Sequence, residues 1–90
     1  MSYNRIEPSF ESLITSVYSA VLYNLGEIKL RGIETTEENL EMAKFNIGLL
    51  EVLRDKTAGN LSKEEDALIT NLISTAKMRF VEHTKEVKES

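Results

Sequence analysis

Apolar residues at Phe10, Leu13, Ile14, Val17, Tyr18, Val21, Leu22 and Leu25 recur at steps of three and four, the period of a helix with one buried face. Pro8 and Ser9 suit its start and Gly26 falls where a left-handed closing residue is wanted, which predicts a helix over about 9–25. Gly26 to Thr35 reads as a loop, because Ile28, Leu30 and Ile33 alternate only weakly and Gly32 interrupts them. Thr35 and Glu38 form a capping box that opens a second helix, over about 36–57. The turn Lys56-Thr57-Ala58-Gly59-Asn60 closes it, with a cation at the negative helix end and glycine just past it. Ser62 and Glu65 make a second capping box for a third helix over about 63–83, followed by a frayed tail to Ser90. So short a connection forces helices two and three into an antiparallel hairpin. The expected fold is a single all-α domain of three helices spanning 1–90, without strands or internal repeats.

The apolar faces are unequal. On a wheel of 100° per residue the third helix carries an apolar arc of about 140°, which packs on one side. On the second, Leu40, Met42, Ala43, Phe45, Ile47, Leu49, Leu50, Val52 and Leu53 sweep about 240°, leaving a charged stripe of Glu37, Glu41, Lys44, Glu51 and Asp55. The first has an arc of about 200°, opposite a patch of small hydroxyls at Ser12, Thr15, Ser16 and Ser19. A three-helix unit covers about half of each helix, so the first two exceed their share. This predicts a fold completed by self-association, with a dimer favoured and Ser12, Ser16, Ser19, Met42, Phe45, Leu49 and Leu53 as contact residues. The alternative is ordinary exposure, since more than half of any folded surface is apolar. Gly48, in mid-helix, either admits another helix closely or is tolerated on the polar side.

Composition narrows the function. Fifteen acids against eleven bases give a net charge of −4, which argues against a nucleic-acid surface, because phosphate binding needs a basic excess. The absence of cysteine removes disulfides, thiolate metal sites and cysteine nucleophiles. Met1-Ser2-Tyr3-Asn4-Arg5 lacks the start of a secretory signal, and the charge-free run from Ser12 to Gly26 is too polar to span a bilayer, so a cytoplasmic chain is expected.

Few residues offer chemistry. Glu37, Glu38, Glu41, Glu51 and Asp55 with the single His83 are the only basis for a metal-dependent enzyme, and they lack the Glu-x-x-His spacing of di-iron bundles. Acids near a helix start are accounted for by the helix dipole, and His83 by peripheral packing. Arg79 projects toward the apolar side and is expected to form a buried ion pair, with Glu51 or Glu65 as partners, unless its stem packs while its head reaches water. Lys56, Thr57, Gly59 and Asn60 do not make a phosphate loop, since the leading glycine and the preceding strand are missing; with Ser62 and Glu65 they are a turn and a cap. A surface helix binding membranes would use the first helix, but its polar side lacks lysine and arginine. The expectation is a non-catalytic module that binds itself and an unidentified protein partner, without cofactor, metal or nucleic acid.

The run from Lys56 to Glu65 (KTAGNLSKEE) is distinctive, flanked by Leu25-Gly26-Glu27, by Ala43, Ile47, Leu49, Leu50, Glu51 and Leu53, and by Met78-Arg79-Phe80-Val81. In these stretches the chain resembles a family of small bacterial proteins known as domain of unknown function 1844. Gly48 stands where that family usually has an acid. The resemblance implies a short helical protein and brings no activity, ligand or catalytic residue.

Overall fold

Helices α1 (Phe10–Asn24), α2 (Leu40–Lys56) and α3 (Lys63–Glu89) form an all-α bundle in the computed structural model. The backbone is described for residues 7–27 and 39–89, and the side chains for 7–27 and 39–85. Each helix begins where a side chain supplies the acceptor that the first turn lacks. At α1 the Ser9 hydroxyl accepts the Ser12 N–H at 3.0 Å, and the Ser12 hydroxyl accepts the Ser9 N–H at 3.0 Å. At α3 Ser62 and Glu65 exchange the same pair of bonds, at 2.9 and 3.0 Å.

The start of α2 lies later than the sequence pattern suggests. Asn39 is its cap: non-helical, with its Oδ1 accepting the Met42 N–H at 3.0 Å. The Asn39 N–H also donates to the Asn24 carbonyl at 2.7 Å, tying the start of α2 to the end of α1. The expected boundary near 36 and the Thr35–Glu38 pair lie outside the described residues.

Both expected glycine stops are left-handed. Gly26 has φ +78° and Gly59 has φ +88°. After α1 the Gly26 N–H donates to the Tyr23 carbonyl at 3.0 Å and the Glu27 N–H to the Leu22 carbonyl at 2.9 Å, the paired bonds of a Schellman turn. After α2 the Thr57 hydroxyl donates to the Leu53 carbonyl at 2.6 Å and the Asn60 N–H to the Thr57 carbonyl at 2.8 Å. Helix α3 continues to Glu89, past the expected end near 83, and no glycine or proline follows Gly59 to interrupt it.

The core has two layers. One holds Val21, Leu25, Ala43, Ile47 and Ala76, and the other Ile14, Leu50, Ile69 and Ile73. Residues late in α1 thus meet residues early in α2, and Leu50 meets the early part of α3, so consecutive helices run antiparallel. Burying each larger aliphatic side chain contributes about 1.5–3 kcal/mol. Asn46, 8% exposed, is the polar group in this core among the described residues. Its Nδ2 donates to Asn24 Oδ1 at 2.8 Å and to the Met42 carbonyl at 3.1 Å, so its amide is not left unpaired.

Candidate functional site

Packing uses one side of α2 and leaves another bare. Ala43, Asn46, Ile47 and Leu50 are buried, whereas Met42, Phe45 and Val52 are 43%, 57% and 51% exposed. With half-buried Leu49 these exposed residues follow a spacing of three, four and three, the seam of an amphipathic helix that has a second partner. Phe45, Gly48, Leu49 and Val52 line a shallow depression edged by Glu41 and Lys44. A Cβ built on Gly48 would meet nothing within 4 Å, so the fold of this chain does not require glycine there.

The predicted contact residues separate into distinct places. Met42, Phe45 and Leu49 share the bare face of α2. Leu53 does not: it packs against the layer of Ile14, Leu50, Ile69 and Ile73, because its edge of α2 is turned toward that layer. Val52 takes the outward position instead, and its place seven residues after Phe45 is the sequence signal that identifies it. Ser12 is held in the α1 cap, its hydroxyl within 2.9 Å of the Glu7 carbonyl. Ser12 and Ser16 line a different depression, with Glu7, Pro8, Ser9 and Leu13, while Ser19 is half-buried and not part of it. The serine line and the α2 face are therefore not one site. A further apolar groove, unanticipated from sequence, runs between α2 and α3 beside Ile47, Gly48, Phe80 and Val81.

Arg79 forms an ion pair, but with a different acid and half in water rather than buried. Its side chain is 46% exposed and its guanidinium donates to Glu27 Oε1 at 2.7 Å. Of the two partners expected, Glu51 pairs with Lys77 at 2.6 Å and Glu65 caps α3. The other oxygen of Glu27 lies 2.8 Å from His83 Nε2. An ionised carboxylate only accepts, so Nε2 carries the proton in that contact. The left-handed Gly26 positions this bridge, since it turns the chain so that Glu27 reaches α3. Replacing Glu27 by alanine is expected to lower stability by about 1 kcal/mol or less, because the bridge is partly solvated. Thermal unfolding at low and high salt checks this, the loss shrinking as salt rises.

No three His, Asp or Glu side chains converge on a metal-sized site among the described residues. No helix among them is long and apolar enough to cross a membrane. Fold and surface together define a small three-helix protein with an uncovered apolar helix face. The chain belongs to the family described as Domain of unknown function (DUF1844), which it matches over residues 7–82. No curated protein and no solved structure matches it.

Proposed function

We propose that the protein is a non-catalytic interaction module that self-associates through the bare face of α2, acting in the cytoplasm and free to engage a further protein partner. The observation that supports this reading is that Met42, Phe45 and Val52 stand exposed on one line of a helix whose opposite side is already in the core. Single exposed apolar residues are commonplace, but a continuous line of them on one helix is the pattern of a buried seam. Covering it removes apolar area from water at about 25 cal/mol per Å².

Phe45→Glu tests the reading. Sedimentation of the unaltered protein at tens of micromolar is expected to show a dimer, and the variant is expected to dissociate about tenfold or more readily. Its helix content should be unchanged, since Phe45 lies outside the core layers. A wild-type monomer at those concentrations overturns the proposal.

A further inference from the structure

We propose that two copies pair through α2 in antiparallel orientation, about a two-fold axis that passes between Gly48 and Leu49. This rests on the self-association reading and specifies its geometry. Three features of α2 converge on it.

The first is direction. At 100° per residue, the midline of Glu41, Phe45, Val52 and Lys56 points within about 30° of directly opposite the core residues Ala43, Asn46, Ile47 and Leu50. A second helix laid along that line faces away from the described core.

The second is size. Under the proposed axis, Phe45 of each copy faces Val52 of the other across the midline, and the two Leu49 side chains meet on one flank. The two Gly48 residues meet on the opposite flank, where each has open space above its backbone. Glycine is unfavourable inside a helix, and here it leaves a depression bordered by Phe45 and Val52. In the pair, that missing side chain lets the two backbones approach closely.

The third is charge. Glu41 stands in the first turn of α2 and Lys56 at its last residue, both exposed and both beside the midline. Antiparallel pairing sets Glu41 of one copy against Lys56 of the other, twice over. It also brings Lys44 toward Asp55 of the second copy, for these two exposed residues share the glycine flank. Parallel pairing would instead align Glu41 with Glu41 and Lys56 with Lys56, at a cost in repulsion.

The cysteine-free sequence makes the orientation directly testable. Glu41→Cys and Lys56→Cys variants are prepared separately, then mixed and oxidised. Antiparallel pairing predicts a covalent dimer in the mixture and none in either variant alone, because like positions lie about 22 Å apart along the helix axes. Self-crosslinking of each single variant, or a mixture that sediments as dimers yet fails to crosslink, overturns the orientation while leaving self-association intact. A mixture and a wild-type protein that are both monomeric overturn the self-association reading itself.

Discussion

Replacing Leu50 by alanine is expected to remove about 3 kcal/mol of stability. Leu50 is fully buried and touches the layer built by Ile14 from α1 and by Ile69 and Ile73 from α3, so it joins all three helices at one point. Truncation deletes its transfer free energy and leaves a cavity that the surrounding branched side chains fill poorly. A chain of this size has about 5–10 kcal/mol to lose, so the unfolded fraction should rise by roughly a hundredfold. Urea denaturation at fixed protein concentration checks it: the midpoint should fall with an unchanged slope. Val52→Ala, two residues on but half exposed, is the matched comparison and should shift the monomer's stability by about 0.5 kcal/mol or less. Similar losses at the two positions would show that the α2 faces are assigned the wrong way round.

What could be read from sequence was local. The Ser62–Glu65 cap and the stops at Gly26 and Gly59 depend on residues within six positions of one another, and their backbone chemistry is set by residue type. The antiparallel turn between α2 and α3 follows from its length. Period counting also identified helix α2 as over-supplied with apolar side chains, because that needs only the spacing of Met42, Phe45, Leu49 and their neighbours.

What could not be read depends on which elements meet. Leu53 and Val52 are both apolar and adjacent, and the wheel gives their directions without saying where α1 and α3 will lie. Only packing decides that Leu53 turns inward and Val52 outward. Arg79 found its acid 52 positions away, beyond a turn whose direction is fixed by Gly26. The cap at Asn39 is of the same kind: Asn39 is a competent cap by residue type, but its backbone bond to Asn24 is a tertiary contact that spacing does not show. Ser12 shares the small-residue spacing of Ser16 and Ser19, which is all that the wheel can see; its bonds to Ser9 place it in the helix cap.

Asn46→Asp is expected to cost about 2 kcal/mol at neutral pH while leaving the shape of the side chain unchanged. Asn46 uses both hydrogens of its amide as donors, one to Asn24 Oδ1 and one to the Met42 carbonyl. A carboxylate has no hydrogen to give. The Asn24 amide can turn and offer its own N–H, but the Met42 carbonyl belongs to the α2 backbone and cannot. The substituted acid is thus buried against a fixed acceptor, which raises its folded-state pKa above the unfolded value of about 4. The sign follows from that rise: the penalty is full above the folded pKa and fades as pH falls through it toward the unfolded value, where the protonated group donates again. The difference in stability between the variant and the unaltered protein should therefore be largest near pH 7 and shrink toward pH 4, as read from urea midpoints across that range. A penalty independent of pH would place the side chain in water instead of between α1 and α2.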